Sequence, residues 1–108
     1  MRICITSQGD NLDAFLDPRF GRCNYFIIVD SETMEFEALP NPSLSARGGA
    51  GIEAAQTVLN KGVDVLITGD VGPNASKVLS TSNIKVITTK ENGTVREILD
   101  KFLNGKLG

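Results

Sequence analysis

The run Val63-Asp64-Val65-Leu66-Ile67-Thr68 is apolar almost without a break, and a segment of helical character lies on each side of it. Such a run reads as a strand buried on both faces, the condition of a parallel sheet with helices packed against it. Before it, Ile52, Ala55, Val58 and Leu59 form one stripe at helical spacing, and Gly62 supplies a C-terminal stop. After it, Gly69-Asp70-Val71-Gly72 turns tightly, and Pro73 suits the first position of a helix reaching about Ser80. Ile84 to Thr88 gives a further strand. Asn92-Gly93 is a turn, and Thr94 caps a last helix whose apolar face is Val95, Ile98, Leu99, Phe102 and Leu103, ended by Gly105.

The first part of the chain has a different period. Arg2 to Ser7 and Tyr25 to Asp30 read as strands, the second rich in β-branched and aromatic residues. Ser31-Glu32 fits a short hairpin turn. Thr33 to Leu39 alternates Met34, Phe36 and Ala38 with Glu35 and Glu37, which predicts a half-exposed third strand. The order is therefore β-β-β-α-β-α-β-α. It predicts an α/β fold of three layers, α/β/α, with a mixed five-stranded sheet. With strands one, three, four and five running the same way, the loops after strands one, three and four leave the sheet at one end. Ligands in open α/β sheets bind at the carboxyl ends of strands.

A chain of 108 residues with 41% hydrophobic side chains suits one domain over 1–108 with a packed core. A net charge of -2 lacks the basic excess of a nucleic-acid binder. No apolar run reaches the ~20 residues of a membrane span, and Met1-Arg2-Ile3-Cys4-Ile5 enters a strand directly, without signal-peptide character. These features predict a cytoplasmic protein with no nucleic-acid or membrane partner. The chain has two cysteines, Cys4 and Cys23, and no histidine. A Ser-His-Asp triad, a Cys-His pair and histidine-containing zinc sites are thereby excluded. Without a CxxC spacing, this chain alone cannot close a four-thiolate metal site.

Three loops carry the candidate site. The first contains Asp17-Pro18-Arg19-Phe20-Gly21-Arg22-Cys23. Arg19 and Arg22 offer forked, charge-assisted hydrogen bonds to an anion, and Cys23 offers a soft thiolate whose pKa nearby arginines would lower. The same residues have a second reading, in which Asp17 pairs with an arginine, Phe20 packs on the core and Cys23 is small buried filler. The second loop, Arg47-Gly48-Gly49-Ala50-Gly51, opens a helix whose N–H groups could meet an anion. It lacks the Gly-Lys-Ser/Thr of a P-loop. The third puts Gly69, Gly72 and Asn74 before and within the start of another helix. Asp10, Asp13, Asp17 and Asp70 lie in the same loops and raise a magnesium-dependent nuclease or phosphoryl-transfer reading. No strand interior anchors such carboxylates.

Arg19-Phe20-Gly21-Arg22 followed by Tyr25-Phe26, then Gly49-Ala50-Gly51, then Gly62-Val63-Asp64-Val65-Leu66-Ile67-Thr68-Gly69 with Gly72-Pro73-Asn74-Ala75, together resemble the dinitrogenase iron-molybdenum cofactor biosynthesis family. This is a group of small cofactor carriers that includes the domain at the end of the cofactor-assembly scaffold enzyme. The resemblance covers almost the whole chain. It implies a ribonuclease H-like fold and a non-enzymatic accessory role, binding or carrying an iron–sulfur or iron–molybdenum cofactor or its precursor. It also implies assembly or acceptor proteins as partners. An anionic cluster suits a cradle of arginines and helix N-termini, and a cluster carrying its own sulfides removes the need for four protein thiolates. Some members of the family hold the cluster with histidine, which this chain lacks. Cys23 is then the metal-ligand candidate. A cofactor-free regulatory or interaction module, binding a partner through the edge of strand three, is the alternative.

Overall fold

A computed structural model describes residues 1–44 and 48–107. Its elements in chain order are β1 (Arg2–Ser7), β2 (Tyr25–Asp30), β3 (Phe36–Pro40), α1 (Ala50–Asn60), β4 (Val65–Thr68), α2 (Pro73–Ser80), β5 (Lys85–Thr88) and α3 (Val95–Leu103). They build a mixed five-stranded sheet with strand order β3-β2-β1-β4-β5. The hairpins make β1–β2 and β2–β3 antiparallel, while the helical crossovers make β1–β4 and β4–β5 parallel.

Both faces of the sheet are covered. Cys4, Phe26, Ile28 and Leu66 pack on one side against Ala54, Ala55 and Val58 of α1 and Ala75 and Leu79 of α2. Ile3, Ile5, Ile27, Val29, Val65 and Ile67 pack on the other against Val95, Ile98 and Leu99 of α3. Neighbours along β1, β2 and β4 thus feed opposite cores, as the two-residue period of a strand requires. Each fully buried aliphatic side chain contributes about 1.5–3 kcal/mol. That explains why the central strands have no polar face. No helix among the described residues is long and apolar enough to cross a membrane.

Local signals set most boundaries. Gly62 and Gly105 sit at φ 66 and 69, the left-handed conformation that stops α1 and α3. Thr94 accepts the Glu97 N–H at 3.1 Å while the Glu97 carboxylate accepts the Thr94 N–H at 2.9 Å, a reciprocal capping box. Three starts differ from the sequence expectation. β3 begins at Phe36, because Ser31 to Glu35 are consumed in a longer turn. There Met34 adopts φ 62 and its N–H bonds the Asp30 carbonyl at 2.7 Å. β4 begins at Val65, just after Asp64, whose backbone bonds Arg2 O at 2.8 Å and Lys85 N–H at 2.9 Å and whose carboxylate takes the Arg2 N–H at 2.8 Å. β5 begins at Lys85, after Ile84, whose N–H is held by the Ser82 hydroxyl at 3.2 Å.

Candidate functional site

The loops after β1, β3 and β4 meet at the carboxyl end of β1 and β4. The long β1–β2 loop is tied to the sheet first. Thr6 and Thr68 are fully buried, with their hydroxyls 2.8 Å apart, and the Thr6 hydroxyl donates to the Asp17 carbonyl at 2.6 Å. Because one hydroxyl hydrogen cannot serve both partners, Thr68 donates to Thr6 and Thr6 to Asp17. The Phe20 N–H then reaches the Asp70 carbonyl at 3.2 Å, and Arg19 and Asp70 form a parallel bridge. Pro18 lies so close to Gly69 that a Cβ there would meet Pro18 Cα at 2.6 Å. This close approach requires glycine at 69.

The same loop is fastened to the other two. A Cβ on Gly21 would lie 3.1 Å from the Gly51 backbone in the first turn of α1. A Cβ on Gly51 would in turn lie 3.2 Å from the Ala75 Cβ in the first turn of α2. Small residues at these three positions bring the helix N-termini side by side beneath the Arg19–Arg22 loop. Asn41, after β3, donates to the Gly21 carbonyl at 3.2 Å and the Cys23 carbonyl at 2.9 Å. The Ser43 hydroxyl lies 3.3 Å from the same Gly21 carbonyl.

Among the described residues, no side chain caps either helix start. The N-cap of α1 is Gly49 at φ 70 and that of α2 is Gly72 in an extended conformation. The first helical bonds begin at Glu53 N–H to Gly49 O and Ser76 N–H to Gly72 O. Earlier N–H groups in each first turn therefore lack an intrahelical acceptor and carry the positive end of the helix dipole. Among the described residues, no atom lies within 4 Å of a Cβ position at Gly48, Gly49 or Gly72, so these three glycines border open space. Asn74 is exposed on the first turn of α2.

The candidate charges are placed unequally. Arg19 grips the buried Asp17 carboxylate through Nε at 3.2 Å and a terminal nitrogen at 3.3 Å, and its side chain is still 66% exposed. Arg22 is exposed and donates to the Leu44 carbonyl at 3.3 Å. Arg47 lies outside the described residues. Phe20 is buried against Phe26, with ring centroids 5.9 Å apart, so it is a core residue and not a wall of the site.

Cys23 corrects the expectation of an activated thiolate. It is fully buried, its S–H points at the Phe20 carbonyl at 3.4 Å, and Asn41 Nδ2 lies 3.8 Å from its sulfur. Burial, with the nearby Asp17 charge adding to it, pushes its pKa up to about 12. Burial raises the Cys4 thiol as well. The arginines point toward solvent and do not offset this desolvation. In this conformation Cys23 is a neutral core side chain.

The aspartates are dispersed. Asp17 belongs to Arg19, and Asp13 takes Arg96 Nε at 3.1 Å. Among the described residues no three Cys, Asp or Glu side chains converge as a metal site.

Two features escape the sequence reading. Asn41 and Ser43 act as braces for the Gly21–Cys23 backbone. Thr88, Thr89 and Lys90, with Gly69, line an open cleft of ≈ 340 Å³ beside the third loop. The direction of β5 carried the signal for the second, since a strand parallel to β4 delivers its following residues to the same end.

Comparison with known proteins agrees with this architecture. The family described as "Dinitrogenase iron-molybdenum cofactor" matches residues 1–105. An uncharacterized protein of Methanocaldococcus jannaschii is 36% identical over 96 residues, 85% of this chain and 80% of that protein. The apo form of the orange protein from Desulfovibrio gigas superimposes with a TM-score of 0.93 at 44% identity, covering 99% of this chain and 90% of that one. A "putative NifB protein" from Thermotoga, solved by NMR, superimposes with a TM-score of 0.85 at 38% identity, covering 98% and 90%.

Proposed function

The chain belongs to the dinitrogenase iron-molybdenum cofactor family, and on that premise we propose that it is a small non-enzymatic accessory protein that binds and carries an anionic iron–sulfur or iron–molybdenum cofactor or its precursor. The carrying observation is the pair of uncapped helix starts, α1 and α2, brought together through Gly21, Gly51 and Ala75 under Arg19 and Arg22. Backbone N–H groups and guanidinium groups hold anions by charge and hydrogen bonding. The donor set fits a cluster that arrives with its own sulfides, held as cargo by electrostatics. It does not fit a resident metal ligated by Cys23, whose thiol is buried and protonated. Gly48, Gly49, Gly72 and Asn74 border the cradle, Gly51 and Gly69 allow the close packing that holds its loops together, and Arg47 is proposed as a further cationic contact.

We assign the sheet to the ribonuclease H-like class, on the strand order β3-β2-β1-β4-β5 with β2 antiparallel to its neighbours. Two free buried cysteines suit a reducing cytoplasm. Cofactor-assembly and acceptor proteins are the partners of such a carrier.

Anaerobic titration of the purified protein with iron–sulfur and iron–molybdenum clusters, followed by visible absorption and co-elution, tests the reading. Stoichiometric binding that weakens in Arg22→Ala and persists in Cys23→Ala supports an electrostatic cradle. Failure of the intact protein to bind either cluster rejects the carrier. Loss of binding in a folded Cys23→Ala rejects cargo holding without a protein thiolate.

A further inference from the structure

β3 is an edge strand of the sheet, and among the described residues no strand pairs with its outer side. Its pairing with β2 shows which backbone groups are open. Asp30 N–H bonds Glu35 O at 2.9 Å and Asn41 N–H bonds Asn24 O at 3.0 Å. Hydrogen-bonded pairs alternate along an antiparallel ladder, so Glu35, Glu37, Leu39 and Asn41 turn their backbone toward β2. Phe36 and Ala38 therefore present N–H and carbonyl groups outward. Pro40 adds a carbonyl and no N–H, which ends the open edge.

Acids outnumber bases around this edge. Residues 30–44 contain Asp30, Glu32, Glu35 and Glu37 and no lysine or arginine. Asp30, Glu35, Phe36 and Glu37 line a groove of ≈ 300 Å³ at the start of β3 together with Arg2, so three carboxylates face one guanidinium there. Phe36 and Met34 stand 42% and 47% exposed beside it. Glu37 pairs with Lys61 at 3.0 Å, and the Asp30 carboxylate accepts the Glu32 N–H at 2.9 Å.

This charge also disfavours a second copy. A two-fold pairing of edges that uses the Phe36 and Ala38 donors sets Glu37 directly against Glu37, and like charges in that position destabilise a ladder. Centring the pair on Ala38 instead faces the Phe36 carbonyl with Pro40, which has no N–H to give.

We propose that the outer edge of β3 is a docking site for an extended, lysine- or arginine-rich segment of a partner protein, which adds to the sheet as a further strand. Main-chain bonds to Phe36 and Ala38 supply the pairing, and the acidic side chains select the sequence. The strand so added runs from the acidic groove to the end of β3 that leads into the cradle loops. A partner held there is placed beside the cargo site without covering the helix starts.

The test uses the intact ¹⁵N-labelled protein and the peptide acetyl-Lys-Val-Lys-Val-Lys-Val-amide, with its glutamate counterpart as control. The lysine peptide is expected to shift the Phe36 and Ala38 amide resonances and slow their hydrogen exchange, while the glutamate peptide does neither. Charge reversal of two exposed acids before β3, Glu32→Lys with Glu35→Lys, is expected to weaken binding roughly tenfold or more. Ala38→Pro removes one outward donor without touching the bonds to β2, and is expected to abolish the shifts while the other resonances stay in place. Equal binding of both peptides, shifts confined to other strands, or unchanged affinity in the charge-reversed variant would overturn the proposal. So would a concentration-dependent dimer in sedimentation that Ala38→Pro dissolves.

Discussion

Replacing Gly69 by alanine separates two loops that the cradle needs together. The added Cβ would sit 2.6 Å from Pro18 Cα and Cβ and 2.7 Å from its carbonyl oxygen. These are mainly backbone atoms, so no rotamer change relieves the clash. The Pro18 segment must retreat until the contact reaches at least 3.0 Å. The adjoining Phe20 N–H to Asp70 carbonyl bond is already 3.2 Å long. Retreat by about 0.4 Å carries it past hydrogen-bonding distance. Overpacking strain of about 1–3 kcal/mol and a lost hydrogen bond of about 0.5–1.5 kcal/mol together predict a loss of roughly 2–4 kcal/mol. At roughly 4–8 °C per kcal/mol in a small domain, the melting temperature falls by at least roughly 8 °C. Gly72, three residues later, is the internal control. It has an ordinary φ of -66 and nothing within 4 Å of its Cβ position. Gly72→Ala is expected to be neutral or to stabilise by up to about 1 kcal/mol, through a less flexible unfolded chain. Urea unfolding of both variants at matched slope measures the difference. A Gly69→Ala midpoint within error of the parent, or an equal loss in Gly72→Ala, would refute the account of why glycine stands at 69.

Further predictions concern the charges and thiols. Because burial raises the folded-state pKa of both cysteines above the ordinary 9.0, their contribution is fully present below that value and declines as pH rises from 9 toward 12. Iodoacetamide at pH 8 should leave Cys23 unlabelled in the native protein and label it in urea, and rapid native labelling seen by mass spectrometry would contradict its burial. Arg19→Ala removes the partner of a buried carboxylate and should lower the urea midpoint, so a decline in cargo binding by this variant has to be compared with its folded fraction. Thr94→Ala should cost about 1 kcal/mol through the lost cap of α3. The bonds from Thr94 hold the Glu97 carboxyl below its ordinary 4.5. That contribution is present above 4.5, is lost as pH falls through the lower folded value, and should be absent from the pH dependence of Glu97→Gln.

Much of the architecture was written locally. Periodicity identified β1, α1 and α3, β-branched and aromatic content identified β2, Pro73 marked the start of α2, and the left-handed glycines and the Thr94 cap marked where helices stop and start, because each signal acts within a few residues. Chain direction followed from hairpins and crossovers, so the meeting of three loops at one sheet end was legible before any coordinate. What these loops do to one another was not. Gly69 looked like a residue that admits a ligand, and the tertiary structure makes it the seat of Pro18. For Cys23 the sequence allows an arginine-activated thiolate or small buried filler, and the tertiary structure decides for the buried reading, with the arginines turned to solvent. Whether a side chain at the mouth of a strand faces water or core depends on neighbours such as Asn41, 18 positions away. The alternating pattern likewise took Met34 into strand three, but its left-handed backbone delays the start of β3 to Phe36, which side-chain polarity does not register. Sequence decided the elements and their order, because those rest on short-range sterics and solvent exclusion. Only packing across the fold decided which charges remain for a ligand, because burial and ion pairing are properties of residues brought together from far apart.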